Sequence, residues 1–314
     1  MELFLERLKT YLKDKKMSEV TLESQLFDII RNKEMPENIK LAKIDMLIRL
    51  GADLNVKSRG KTSLALAKDE NLEKIAEILS ENGGLDERIS DEEVKRLSKR
   101  LMVFINIGDL DEAKNAIEEG ADVNYIEKVS LYYYTPLLKA CRHGHIEMVR
   151  MLLDCGAELN LKNAEKTIAP IYIAAARGHI HIIKELIKRG ADINDDTTHY
   201  KLTPLMGAVG DRRYDMVKFL ISNGADVNKS DIDGQSALME AVEKGDIHLI
   251  GELIDAGADV LLKDKKGKIA LEYTQNEDIK KFLIKKFKKT KSANLKKEDI
   301  NRLEGFLDNR RDFL

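Results

Sequence analysis

Four histidines form two closely spaced pairs, His143 with His145 and His179 with His181. A zinc site needs ligands that converge on one point in a tetrahedron, and residues two apart on a chain segment are poorly placed to do so. No metal site is expected. Gly60-Lys61-Thr62-Ser63 looks like the end of a phosphate-binding loop, but Asn55 stands where that loop requires its first glycine. Cys141 and Cys155 are the only cysteines, too few for a disulfide scaffold and without metal-ligand spacing, which points to a reducing compartment and two small core fillers. With no G-x-S-x-G, H-E-x-x-H or C-x-x-C present, the sequence predicts no catalytic residue and no cofactor. The run from Lys280 to Lys297 carries nine lysines in eighteen residues, interleaved with Phe282, Leu283, Ile284 and Phe287. It suits a membrane or nucleic-acid contact. The favoured expectation is a solvated helix whose lysines complement the dipole at its C-terminus.

The positions of these groups are set by a recurring phrase: GADLN at Gly51, GADVN at Gly120, GAELN at Gly156, GADIN at Gly190, GADVN at Gly224 and a degraded GADVL at Gly257. The intervals are 69, 36, 34, 34 and 33 residues, and the double-length first interval hides a copy reduced to ENGG, ending at Gly84. A period near 33 residues marks units that cannot bury an apolar face alone and must stack on their neighbours. Between phrases the text reads as two short helices. In the unit from Thr203, Leu205, Ala208 and Val209 form one buried stripe, and Met216, Val217, Leu220 and Ile221 form another. Thr203-Pro204 opens the first helix, and Gly190, Gly224 and Gly257 stop the second by adopting the left-handed conformation.

The TPL openings, the Ala-rich first helices, the GH before the second helix and the closing GAD-hydrophobic-Asn closely resemble the ankyrin repeat. The resemblance implies an all-α solenoid of stacked helix-turn-helix repeats with short β-hairpin fingers and a concave binding face, about eight units from Thr21 to Thr290. The pattern departs from the family where its histidine after TPL is replaced by Leu138, Tyr172, Met206 and Met239, so apolar packing is expected in place of the usual polar network. His145 and His179 match the family's GH, where the histidine helps to start the second helix. The finger after Asn124 has ten residues against seven after Asn228.

The expected layout is an N-terminal capping helix over 1–20, two divergent repeats over 21–88, a divergent repeat over 89–124 after a possible break, four well-matched repeats over 125–261, a capping repeat over 262–290 and a final helix over 291–314. Met1, Phe4, Leu5, Leu8 and Leu12 give the first segment its apolar face.

Composition narrows the function. With 53 basic and 55 acidic residues the chain has no global attraction for nucleic acid or anionic membrane. Lacking an apolar leader or span, it reads as a soluble cytoplasmic protein. The expected activity is non-catalytic: binding of a partner protein through fingers and concave helices, by a monomer with capped ends and without a small-molecule substrate, nucleic acid or membrane. Two finger segments hold five of the nine tyrosines, Tyr125, Tyr132, Tyr133, Tyr134 and Tyr200, the last beside His199. Tyrosine gives large contact area at low entropic cost. By the resemblance, the concave row comprises Arg142 and His143, Ala176 and Arg177, Gly210 and Asp211, and Glu243 and Lys244. Arg212 and Arg213 stand in place of GH, and with Arg142 and Arg177 suit a carboxylate-rich partner. The alternatives are tyrosines folded onto the stack, a solvated polar row, an exported effector with chemistry hidden in Met1–Arg31 or Lys291–Leu314, or recruitment through the lysine-rich end.

Overall fold

The structure is a computed structural model that describes residues 22–84, 88–129, 132–159, 168–196, 200–290 and 303. The helices expected over 1–20 and 291–314 lie outside these residues, apart from Leu303, which is helical and buried. The chain divides into two units, residues 1–161 and 162–314.

The first unit contains helices α1 (Leu22–Arg31), α2 (Glu37–Arg49), α3 (Ser63–Asp69), α4 (Glu73–Glu81), α5 (Asp91–Ile107) and α6 (Leu110–Glu118). Strands β1 (Glu127–Val129) and β2 (Tyr132–Tyr134) follow, then α7 (Pro136–His143) and α8 (Ile146–Asp154). The second unit contains α9 (Pro170–Arg177), α10 (Ile180–Lys188), α11 (Pro204–Gly210), α12 (Tyr214–Ser222), α13 (Ala237–Glu243) and α14 (Ile247–Asp255), then a 3-10 turn (Ala270–Tyr273) and α15 (Glu277–Thr290). Successive first helices pack side by side, α9 on α11 and α11 on α13. The stripes read from the sequence form the core: Leu205, Ala208, Val209, Met216, Val217 and Leu220 are all essentially inaccessible, while Ile221, expected on the second stripe, is only half-buried.

Local chemistry explains the boundaries. Thr62, Thr135, Thr203 and Ser236 each accept a hydrogen bond from the backbone N–H three residues on, at Ala65, Leu138, Met206 and Met239, a cap that contributes about 1 kcal/mol. Leu138, Met206 and Met239, which replace the expected histidine, are buried, and Tyr172 is half-buried, so the apolar substitution fills the inter-helix space. The histidines of GH stand at the start of the second helices, as the resemblance implies. His145 and His179 occupy the N-cap positions of α8 and α10 without a side-chain cap bond, whereas Asp109 and Asp246 at the same place accept from Glu112 and Leu249. A short carboxylate reaches its own helix N-terminus where an imidazole does not.

The phrase itself is a bond pattern. In GAD, the glycine takes a positive φ and the alanine N–H closes on the carbonyl five residues back, as in Ala225 to Leu220 at 3.0 Å. The aspartate carboxylate accepts from the N–H two residues on, as in Asp226 from Asn228. The asparagine then reaches the next copy: Asn194 donates to the Gly224 carbonyl and accepts from the Asp226 N–H, and Asn228 does the same with Gly257 and Asp259. The copy reduced to ENGG keeps its role, because Asn55 donates to the Gly83 carbonyl and the Gly84 N–H closes on Leu79.

At the possible break before the divergent repeat over 89–124, the described residues lead into α5, a helix of 17 residues capped by Ser90. The preceding helices meet this region chiefly through loops. Ile89 N–H bonds the Gly60 carbonyl, Arg59 pairs with Asp122 at 3.2 Å, and Arg88 pairs with Asp69 at 2.6 Å.

Candidate functional site

The longer finger after Asn124 folds as the one two-stranded ladder among the described residues, with Glu127 opposite Tyr134, Lys128 opposite Tyr133 and Val129 opposite Tyr132. The shorter fingers carry isolated bridges, Ser58 with Lys61 and Ser230 with Ser236. Three extra residues give room for paired strands. The hairpin is tied to α7 by a Lys139–Glu127 ion pair at 2.7 Å and by Arg142, which donates to the Tyr134 hydroxyl at 2.9 Å and lies over its ring at 5.7 Å. On the opposite face Lys128 sits 5.9 Å from the Tyr133 ring centroid. Tyr125, Tyr133 and Tyr134 are half-buried, and the exposed apolar groups are Ile126 and Val129. Tyr132 lies in β2, and its side chain is outside the described set, as is His199. Arg142 and His143 are exposed at the end of α7, where the rings of His143 and His145 stack at 5.7 Å.

In the second unit, Arg177, Asp211, Glu243 and Lys244 are exposed at the ends of first helices, and Tyr200 is 52% exposed in its finger. Ala176, expected on the concave row, is buried. The arginines that replace GH turn out to hold repeats together. Arg213 donates backward to the Ala176 carbonyl at 3.0 Å, its stem lying over Gly178, while Arg212 donates forward to the Lys244 carbonyl at 2.9 Å. Tyr214, on the same turn, donates to Asp246 at 2.7 Å. Burial would raise the Asp246 carboxyl, but the Tyr214 hydroxyl, the Leu249 N–H and the Arg212 guanidinium together hold it below the usual carboxylate range. The staple was missed in the sequence, although Asp at an N-cap position after Gly245 is a signal that could have located it.

A second surface group lies over α11. Glu240 is half-buried on α13, its Oε1 close above Gly210, and burial, joined by Glu243, Asp211 and Asp231, lifts its carboxyl despite the opposing Lys244. In α15, Ile279, Leu283, Ile284 and Phe287 are buried, so the apolar residues of the lysine-rich run face the stack. Lys286 pairs with Asp255 at 2.7 Å and Lys280 with Glu277 at 3.2 Å.

Cys141 is fully buried, and its thiol is pushed far up by desolvation. Cys155 departs from the expected core role: it is half-buried at the edge of a cleft of about 230 Å³ lined by Phe27, Arg31, Ser58, Arg59 and Asp122, and burial raises its thiol to about 11. Both thiols are therefore protonated at neutral pH, and neither is a nucleophile there. Among the described residues no group of three or more His, Cys, Asp and Glu is placed to hold a metal ion, and no helix is long and apolar enough to cross a membrane.

The family model for ankyrin repeats in three copies matches residues 162–231, and models for a single ankyrin repeat match 132–161 and 233–265. The ankyrin repeat and KH domain-containing protein mask-1 of Caenorhabditis elegans is 32% identical over 127 residues, which is 40% of this chain and 4% of that protein. The chain thus spans a small fraction of the curated relative's length. Residues 132–265 of this chain thus match ankyrin repeats.

Proposed function

We propose that the chain is a non-catalytic scaffold that binds a partner protein through the hairpin finger of its first unit and the exposed ends of its first helices. The observation that carries this is the anchoring of the hairpin. Arg142 and Lys139 fix it to α7, so a partner meets a surface whose ordering cost is already met, with Ile126 and Val129 still in solvent. Tyr125, Tyr132, Tyr133 and Tyr134 supply the aromatic contact area, and Arg142 and His143 the polar rim. In the second unit the same reading assigns contacts to Tyr200, Arg177, Asp211, Glu243 and Lys244. Arg212 and Arg213 are set apart from it, because they bond to backbone within the unit.

The test is affinity capture from the source cell with the wild type and a Tyr132→Ala, Tyr133→Ala, Tyr134→Ala variant, each first shown to be folded by circular dichroism. A partner kept by the wild type and lost by the variant supports the hairpin as the contact. Equal recovery moves the contact to the second unit, and a partner whose capture collapses steeply with salt favours the lysine-rich helix instead.

A further inference from the structure

Helix α5 exceeds the first helices α3, α7, α9, α11 and α13 by more than two turns, and its exposed face is unusual. Its buried face is regular: Leu97, Ser98, Leu101, Met102 and Ile105 are inaccessible, and Val94 packs over Gly60. On the opposite side, at successive i, i+4 positions, stand Lys95, Lys99, Val103 and Ile107, all exposed. Val103 is 55% exposed and Ile107 67%, the latter the most exposed large apolar side chain among the described residues. Leu110, at the start of α6, adds a third apolar group at 37%.

The charges along this helix divide in the same way. Arg96 pairs with Glu93, and Arg100 donates to Glu119 and approaches Glu112 at 3.8 Å. Lys95 and Lys99 have no ion pair among the described residues. A solvated helix face ordinarily keeps apolar side chains off such a stripe, and a protein with two unpaired lysines leading into two exposed aliphatics presents both halves of an amphipathic contact.

We infer that the Lys95–Lys99–Val103–Ile107 stripe is a docking site for an amphipathic helix of a partner protein that carries two aliphatic residues and two carboxylates at matching i, i+4 spacing. The inference rests on the scaffold reading above and specifies the chemistry of the partner. A helix suits the stripe better than an extended strand does. The four positions lie along about 18 Å of a single ridge, and ridges of i, i+4 side chains pack against the same rows on another helix. Carboxylates are selected because both unpaired groups of the stripe are cations, and the aliphatics fix the register by pairing with Val103 and Ile107.

The probe is a synthetic helix-stapled peptide with two leucines and two glutamates in that spacing, made in both orders, beside copies with lysine for glutamate and alanine for leucine. Binding to the full chain is followed by fluorescence anisotropy. The expected result is saturable binding of one glutamate peptide below about 1 mM, with the lysine and alanine copies about tenfold weaker. Val103→Ser with Ile107→Ser weakens the glutamate peptide about tenfold, while the hairpin triple variant leaves it unchanged. Lys95→Glu with Lys99→Glu reverses the preference to the lysine peptide, a gain that a misfolded chain would not show. No binding, equal binding of all copies, or indifference to the Val103 and Ile107 changes overturns the inference. So does a concentration-dependent dimer in sedimentation that the same double change dissolves, because the occupant is then a second copy. A cellular partner lost by the hairpin variant and kept by the stripe variant would overturn the stripe alone and leave the scaffold reading standing.

Discussion

In the second unit, the N–H of the phrase aspartate is satisfied by an asparagine of the preceding phrase, Asn194 for Asp226 and Asn228 for Asp259, both at 2.7 Å. The first unit meets the same demand by other means. Asp53 N–H donates to the Glu23 carboxylate of α1, and Asp122 N–H donates to the Ser98 hydroxyl of α5, before Asn124 restores the regular bond with Glu158. What the stack requires is an acceptor at one point in space, and the residue type is free wherever another element can reach that point. The difference also separates roles. Where repeats are regular, Arg212, Arg213 and Tyr214 are spent on neighbouring repeats. Where the pattern breaks, α5 is free to lengthen, and among the described residues it leaves Lys95 and Lys99 without an ion pair and Val103 and Ile107 exposed.

The sharpest way to break the comparison is a methyl group at equivalent glycines. Gly120 has φ 116°, and a Cβ there would stand 2.8 Å from the Ile89 side chain and 3.3 Å from the Gly60 Cα, which is backbone and cannot swing aside. Gly257 has φ 93° with open space around the added carbon. Gly120→Ala is expected to cost about 3 kcal/mol and Gly257→Ala about 1 kcal/mol, the first combining strain with a clash and the second strain alone. Urea unfolding of the full chain measures both. Equal costs would mean that the Gly60 and Gly120 loops separate readily and that the junction before α5 is soft.

Next in size is the staple. Asp246→Ala removes the N-cap of α14 and the partner of Tyr214 together, an expected loss of about 2 kcal/mol, while Tyr214→Phe loses one bond, about 1 kcal/mol. Because the Asp246 carboxyl is held below its ordinary value of 3.8, this stability is present above that value and disappears as pH falls through the lower folded value. The wild type and Asp246→Asn should therefore converge at strongly acid pH. A constant gap between them would assign the effect to packing alone.

How much of this was legible follows from where the information sits. The period, helix pairs, caps at Thr135 and Thr203 and core stripes are local patterns, and the structure places them where the sequence does. The reduced copy at Gly83 and Gly84 was legible for the same reason: glycine at a left-handed position is a local demand. Ser98 and Glu23 were not, because a serine or glutamate on a helix announces nothing until the next phrase is brought beside it. Arg212 and Arg213 read as a carboxylate-binding pair because their charge is visible in sequence, and the carbonyls they reach at Lys244 and Ala176 are not. Exposure of Val103 and Ile107 was hidden for the converse reason, since an aliphatic residue in a helix reads as core by default.

Asn228→Ala and Ser98→Ala compare the regular and improvised acceptors directly. Each leaves one aspartate N–H to be satisfied by water at an exposed or half-buried site and removes the side chain's own donation, to the Gly257 carbonyl from Asn228 and to the Val94 carbonyl from Ser98, so both should cost about 1 kcal/mol by urea unfolding. If Ser98→Ala is silent, the improvised bond is geometry without energetic weight, and the first unit is held by its apolar contacts.

The smallest effect concerns Glu240. Its carboxyl is raised above the ordinary 4.5 by burial, with Glu243, Asp211 and Asp231 adding to this and Lys244, at 3.8 Å, opposing it. A native state that keeps this proton longer than the unfolded chain is favoured below 4.5, and loses that advantage as pH rises through the folded value. Glu240→Gln, which fixes the neutral form, should therefore stabilise the chain near neutral pH by under about 0.5 kcal/mol and should show no gain in acid. Thermal unfolding at pH 4 and pH 7.5 gives the sign. Destabilisation at pH 7.5 would show that the Lys244 pair outweighs the desolvation of Glu240, and that the carboxylate over Gly210 strengthens the α11–α13 contact.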